Sequence, residues 1–269
     1  MRAAHVMVDH PAWQTAEDGT AWRAVRHRDE VLAVVARPSA DGVSVNSLPD
    51  APQLFHLADP GRLVGEPALL DPLRTNGTVM RLANPDLWDA LATGIVRQVI
   101  RAGQARLLYR EFCRAHGDSV ETPAGPAWLF PSPDTVLALP DAEFTRLGMS
   151  FKRAPLRAAA DAYLARHRDW AALTASDLVA AVQDVPRIGP WTAGAAVADA
   201  TNDFSLYPFA DLAVRTWARR LAPAYQWPQS EPEFAAVWRG LAGEQLSDWT
   251  LLTLAWGVRH AQAQGAAAL

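Results

Sequence analysis

The amino-acid sequence predicts a mainly α-helical chain with a small antiparallel β-sheet at its N-terminal end, an α+β arrangement. Three observations predict it. Roughly the first 60 residues hold short β-prone runs separated by turn residues. From about residue 60 onward, apolar residues recur at helical spacing instead. Further along, two helical stretches rich in small residues meet at the tight turn Pro186-Arg187-Ile188-Gly189.

The strands come first. AWRAVRH (21–27), EVLAVVAR (30–37) and GVSVNSL (42–48) are separated by RDE and by PSADG, and Val43 and Val45 share a face of the third. A fourth run, QLFHL (53–57), ends at ADPG. Residues 1–60 therefore read as a small antiparallel sheet domain, too thin to be stable without packing on something larger.

Residues 61–269 read as a helical body carrying a hairpin at 178–200. Asn84-Pro85-Asp86 opens a helix with proline near its first turn, and Leu87, Ala90, Leu91, Gly94 and Ile95 follow at helical spacing. A second helix runs through Gln104 to Cys113 and ends near His116-Gly117. The segment SVETPAGPAWLFPSP holds four prolines and reads as a loop, leading to Asp134 as the cap of a helix from Thr135 to Leu139. Further helices are expected at 141–147, 151–167, 176–184, 190–200, 211–222, 231–242 and 246–263. Apart from an alanine-rich tail, the sequence shows no repeat and no low-complexity tract.

Composition narrows the class. Half of the 269 residues are apolar and a fifth are charged, an ordinary globular balance with enough chain for a sizeable core. No apolar run approaches the length needed to span a bilayer, and MRAAHVMVDHPAW lacks the apolar core of a secretory signal, so an intracellular location without membrane attachment is expected. One cysteine, Cys113, excludes internal disulfides and an all-cysteine cluster, and reads as a buried small hydrophobe. The seven histidines are dispersed with no metal-ligand spacing, so no catalytic metal is implied. A net charge of −4 argues mildly against nucleic acid. Against that, Arg97, Arg101, Arg106, Arg110 and Arg114 recur along one stretch, either as a solvated helix face or as a phosphate-binding row.

The most informative stretch is LVAAVQDVPRIGPWTAGAAVADA. An amphipathic helix ends near Asp184, the turn follows, and Pro190 takes the first position of a new helix, where its missing N–H costs nothing. Gly189 can adopt the positive φ that such a turn needs. The second helix then points free N–H groups outward, an anion site suited to a DNA phosphate.

On these residues the chain resembles the helix-hairpin-helix DNA glycosylase superfamily, whose usual turn is Leu-Pro-Gly-Ile-Gly. YPFADLAVRTWARRL, about twenty residues on, is similar to the superfamily's loop and helix carrying a catalytic aspartate, and Asp211 falls on it. DLAVR is most like the 3-methyladenine DNA glycosylase II branch. LFHLADP, TGIVRQVIRAGQARLL and FPSPDTVLALPDAEFTRLGMSFKRAPLRAAADAYL resemble, in order, that branch's sheet-to-body junction, its glutamine-containing helix pair and its next helices.

The resemblance implies a monofunctional glycosylase that extrudes a damaged base from duplex DNA and hydrolyses its N-glycosidic bond. An alkylated purine of the 3-methyladenine kind is the expected substrate. Base loss builds positive charge on the sugar, and a fixed carboxylate stabilises it and orients the attacking water. Asp211 is the implied carboxylate, although its local sequence alone reads as a helix N-cap, and the two roles are compatible. Trp191 and Trp249 are implied walls of the base pocket, with ordinary packing as the alternative for each. Pro186, Arg187, Ile188, Gly189, Thr192, Gln98 and Arg101 are implied DNA contacts. Val99 matches the wedge that fills the gap left by the base, while an isolated valine on a helix is ordinarily core. The hairpin of such proteins often holds a monovalent cation, Na+ or K+, on backbone carbonyls, here those of Val185 and Ile188.

Three departures matter. Arg187 stands where glycine is usual, at a possible expense in strain or as a phosphate contact. Trp191 stands where bifunctional relatives place a lysine nucleophile, which removes the usual route to strand cleavage. A pocket tyrosine is replaced by Ala195, which keeps open a deaminated, oxidised or bulky lesion. A non-catalytic DNA-binding module is the reading from a different class. The expected partner is lesion-bearing double-stranded DNA, met by a monomer in a bacterial cytoplasm at the nucleoid.

Overall fold

The computed structural model describes residues 2–28 and 30–263; the alanine-rich tail lies outside them. The three strands expected from the sequence form where the β-prone runs placed them. Strand β4 (Ala21–His27) pairs antiparallel with β5 (Glu30–Ser39), which pairs with β6 (Gly42–Leu48), so that Trp22, Val35 and Asn46 lie across from one another. Short strands β1 (Arg2–Ala3) and β3 (Gln14–Thr15) complete the sheet in the order β1-β6-β5-β4-β3. Its inner face buries Val25, Leu32 and Val34 with Trp13.

A second sheet was not legible as such. The run expected over 53–57 forms β7 (Phe55–Ala58), paired antiparallel with β8 (Val79–Leu82). β8 in turn pairs parallel with β2 (His5–Val6). β8 lies past residue 60 and is buried along its length, so sheet structure continues into the segment read as helical. Helix α1 (Pro67–Asn76) fills the interval before it.

The body then runs through α2 (Leu87–Arg97), α3 (Ala102–His116), α4 (Pro133–Ala138), α5 (Asp141–Arg146), α6 (Arg153–Trp170), α7 (Ala175–Gln183), α8 (Pro190–Thr201), α9 (Leu212–Leu221), α10 (Glu231–Ala242) and α11 (Leu246–Ala263). The expected helices appear with ends shifted by a few residues, as fraying termini ordinarily are. Two expectations are corrected. SVETPAGPAW forms a hairpin of β9 (Ser119–Thr122) and β10 (Gly125–Trp128) rather than a loop. Docking on β4 overrides its proline content: Ala127 and Leu129 pack on Ala24, and the Trp22 indole donates to the Pro126 carbonyl at 3.1 Å. The cap of α4 is Ser132, whose hydroxyl accepts the Thr135 N–H at 3.1 Å, and Asp134 lies inside the first turn.

The arginine row is neither a free face nor a phosphate comb. Arg106 donates to the Val8 carbonyl (3.2 Å) and Arg110 to the Pro11 carbonyl (2.9 Å), tying the N-terminal segment to α3, while Arg114 lies over the Trp128 ring. Arg101, at the start of α3, remains exposed.

Two apolar cores flank α8. One gathers Leu91, Ile95, Phe112, Phe130 and Leu156 around α2, α3 and α6. The other gathers Leu69, Val214, Trp217, Trp238 and Leu252 around α1, α9, α10 and α11. A buried polar junction joins the sheets to this frame. Arg81 donates to Asp9 at 2.9 Å and to Asn202 at 2.6 Å, and pairs with Asp199 near the end of α8. Asn84 bridges Asp199 (3.0 Å) and Asp89 (3.2 Å), Tyr109 donates to Asp89 at 2.6 Å, and His10 meets the Thr93 hydroxyl at 2.8 Å. Burial, with Arg23 and Arg81 nearby, holds His10 well below its usual pKa. Burial raises Asp89 to about 6.

Candidate active site

The turn between α7 and α8 forms the hairpin read from the sequence, with one correction. The left-handed residue is Arg187, at φ 71°, whereas Gly189 has φ −87°. The arginine therefore holds the conformation that glycine ordinarily supplies, at an expense of about 1 kcal/mol. Gly189 serves by absence of bulk. A Cβ there would meet nothing within 4 Å, and no side chain caps the backbone N–H groups at the start of α8. Pro186, Arg187 and Gly189 are exposed, while the Ile188 side chain is buried in the first core.

Asp211 lies opposite this start. One carboxylate oxygen, Oδ1, accepts the Val214 N–H at 2.9 Å and caps α9. The other, Oδ2, accepts the Tyr207 hydroxyl at 2.8 Å and the Trp191 indole N–H at 3.3 Å. Cap and candidate catalytic group are thus one residue, with Oδ1 spent on the helix and Oδ2 held by two side-chain donors. Burial and the Asp211 charge raise the Tyr207 phenol well above its usual pKa, so it remains a donor. Asp211 itself is half-buried, and the next residue, Leu212, is an exposed apolar side chain.

Close helix contacts place the remaining groups. A Cβ on Gly94 of α2 would lie 3.2 Å from Thr192 of α8, and one on Gly194 would lie 2.5 Å from the Leu206 carbonyl, in the loop leading to Asp211. α2 ends beside the hairpin at Gln98, whose side-chain amide donates to Thr192 Oγ1 (2.7 Å) and to the Arg187 carbonyl (3.3 Å). Thr192 is buried with its hydroxyl engaged by Gln98, which leaves its backbone N–H, in the uncapped first turn of α8, as the group it can offer to DNA. Val99 follows Gln98 with φ 61° and a side chain that is 100% exposed. Both features oppose the core alternative, since a β-branched residue in the left-handed region is a genuine outlier.

Trp191 and Trp249 diverge. Trp191 is half-buried beside Asp211. Trp249 is 0% exposed, packed edge-on against Trp238 with centroids 5.7 Å apart, and a Cβ on Gly65 would lie 2.7 Å from its ring. Trp249 is therefore core rather than an open pocket wall, because α10 and the Gly65 segment cover it. Ala195 is buried in the same core.

The sequence reading missed two groups at the site. Tyr207 carries no local signal beyond its place four residues before Asp211. Lys152 carries one: it is the only lysine in the chain, beside 24 arginines. The described residues contain no cluster of histidine, cysteine and acidic side chains able to hold a metal, and no helix among them is long and apolar enough to cross a membrane.

No family model matches the chain. The DNA-3-methyladenine glycosylase of Bacillus subtilis (strain 168) is 28% identical over 133 residues, and the match spans 48% of this chain and 44% of that protein, less than half its length. In structure, the chain resembles the 8-oxoguanine glycosylase/lyase of Clostridium acetobutylicum in complex with double-stranded DNA, with TM-score 0.71 and 15% identity over 96% of this chain and 90% of that one. It also resembles the 3-methyladenine DNA glycosylase of Archaeoglobus fulgidus, with TM-score 0.68 and 17% identity over 93% of this chain and 90% of that one. At these identities the structural likeness is one of fold.

Proposed function

We propose that this chain is a member of the helix-hairpin-helix DNA glycosylase superfamily and a monofunctional DNA glycosylase that removes alkylated purines of the 3-methyladenine kind from duplex DNA, a reading supported by its partial likeness to a DNA-3-methyladenine glycosylase and by its fold. One observation carries the reading. Asp211, the cap of α9, is fixed through both oxygens, and Trp191 at the start of the hairpin's second helix donates to it. In this reading the N–H groups at the start of α8, with Arg187 and Arg101, take phosphates. The extruded base stacks against Trp191. As the base departs, positive charge develops on the sugar, and the Asp211 carboxylate stabilises it and orients water. An alkylated purine is already cationic and leaves without a general acid, which suits a site with a single carboxylate.

Trp191 in the position of the lysine nucleophile supports base removal without strand cleavage. In the same proposal the protein acts on DNA as a monomer, and a monovalent cation sits on the carbonyls of Val185 and Ile188. The Val185 carbonyl already accepts the Ile188 N–H at 3.0 Å and keeps a second lone pair. Exchanging Na+ and K+ for tetramethylammonium at fixed ionic strength should then weaken duplex binding.

A second reading, a glycosylase for a deaminated, oxidised or bulky base, is favoured by the small Ala195 and by the likeness to an 8-oxoguanine glycosylase/lyase. The deciding experiment supplies methylated duplex and duplexes bearing hypoxanthine, uracil, ethenoadenine or 8-oxoguanine, and scores abasic sites with hot alkali. Asparagine keeps the cap of α9 but not the charge. Alkylpurine release that falls by about a thousandfold in Asp211→Asn supports the first reading. Release of another base alone supports the second. Salt-sensitive binding with no release from any duplex would mark a non-catalytic DNA-binding module. Strand cleavage before alkali, or a borohydride-trapped adduct, would refute the monofunctional assignment.

A further inference from the structure

Val99 poses a structural problem. Its side chain touches nothing and its φ of 61° is one that a valine adopts rarely, so neighbours must hold the conformation in place. Those neighbours converge on the preceding residue. The Gln98 N–H donates to the Ile95 carbonyl at 3.2 Å, and its amide donates to Thr192 and to the Arg187 carbonyl. The remaining backbone group, the Gln98 carbonyl, lies on the peptide plane that leads into Val99. It accepts the Lys152 ammonium at 2.6 Å.

Lys152 is unusual in its own right. It stands just ahead of α6, is 1% exposed, and has no carboxylate partner among the described residues. A buried cation without an anion is unfavourable unless something specific holds it. Besides the Gln98 carbonyl, the ammonium lies 4.6 Å from the centre of the Phe151 ring, a cation–π contact to a side chain that is itself exposed. A compact ammonium on a flexible stem reaches such a carbonyl with one of its three donors. The chain uses its single lysine there.

We infer that Lys152 is a positioning residue for base extrusion, its ammonium locking the Gln98 carbonyl and so the left-handed turn that projects Val99 toward the duplex. This rests on the proposed glycosylase reading. Burial lowers the ammonium's pKa to about 8, and neither Arg97 and Arg101 flanking the turn, nor Arg187 in the hairpin, nor Arg153 on α6 adds to that shift. The lock is therefore mostly charged at neutral pH and is lost as pH rises through about 8.

The test uses the full chain and a duplex with 2-aminopurine beside the lesion, whose fluorescence reports extrusion separately from base release. Lys152→Met keeps the stem and removes the charge. It should reduce extrusion to the level of Val99→Gly and slow single-turnover release at least tenfold, with duplex affinity changed less than threefold. Lys152→Arg should restore at least part of both. Extrusion by the unaltered protein should fall between pH 7 and 9, and Lys152→Arg should flatten that fall. Wild-type extrusion in a folded Lys152→Met refutes the inference. Should that variant not fold, equal pH profiles for the unaltered protein and Lys152→Arg refute it instead. A protein that extrudes but releases no base overturns the glycosylase reading and leaves this one standing. One that extrudes nothing overturns both.

Discussion

Replacing Val99 with glycine should move stability and activity in opposite directions. The side chain is fully exposed, so its removal gives up no burial, and glycine adopts φ 61° freely. Relief of the left-handed conformation is worth about 1–2 kcal/mol. Glycine's extra freedom in the unfolded chain returns about 0.4–1 kcal/mol. The folded state should therefore gain about 0.5–1 kcal/mol, or about 1–3 °C in melting temperature for a chain of this size. Activity should fall. Extrusion costs a few kcal/mol in lost stacking and pairing. If the wedge recovers about half of that, single-turnover base release from a paired lesion slows by about 10–100-fold. The loss should shrink when the lesion sits in a mismatch, because less pairing has to be broken. Urea unfolding and single-turnover release on both duplexes test the two halves. A less stable Val99→Gly, or one with wild-type release from the paired duplex, would refute the reasoning.

Three further outcomes are expected. Arg187→Gly should gain about 0.5 kcal/mol for the same backbone reason and lower the salt slope of duplex binding by about one ion; an unchanged slope means the guanidinium touches no phosphate. Tyr207→Phe removes the 2.8 Å hydroxyl donor to Asp211 and leaves the 3.3 Å indole donor. A hydrogen bond to a charged group is worth about 1.5–3 kcal/mol, so release should slow about 10–100-fold at unchanged duplex affinity. An affinity loss with normal single-turnover rates would contradict that role. His10 is neutral in the fold but takes a proton below pH 6.5 once unfolded, so its contribution to stability is lost as pH falls through that value. The stability advantage of the unaltered protein over His10→Gln should shrink below pH 6.5, approaching about 1.4 kcal/mol per pH unit. A pH-independent difference in urea midpoints would disprove it.

Where local signal and tertiary demand agree, the sequence was readable. β-prone runs between turn residues set β4 to β6, proline and glycine marked the hairpin turn, and Asp211 carried both a cap pattern and a recognisable context. Long-range packing decided the rest. The β9–β10 hairpin forms because β4 offers Ala24 and Trp22 to it, a partner about a hundred residues distant. Trp249 has an aromatic's ordinary ambiguity until Trp238 and the Gly65 segment close over it. The strain expected of Arg187 at a usual glycine position is present as its positive φ, while Gly189, for which that conformation is easy, does not use it. Sequence suggests where a positive φ is easy and not which residue bears it. Tyr207 and Lys152 are joined to the site by one hydrogen bond each, at geometries that no spacing encodes.

The single lysine also makes the molecule its own spectroscopic probe. Feeding isotope-labelled lysine yields a chain with one labelled side chain, placed two hydrogen bonds from the hairpin, with no substitution and no attached dye. Its ε-carbon and ε-nitrogen resonances report the charge state directly, and a titration follows the step near pH 8 in the free protein. Repeating the titration on duplex DNA reads how far the phosphate field stabilises the ammonium. A measurement that in most proteins means assigning a crowded spectrum becomes here the tracking of one peak.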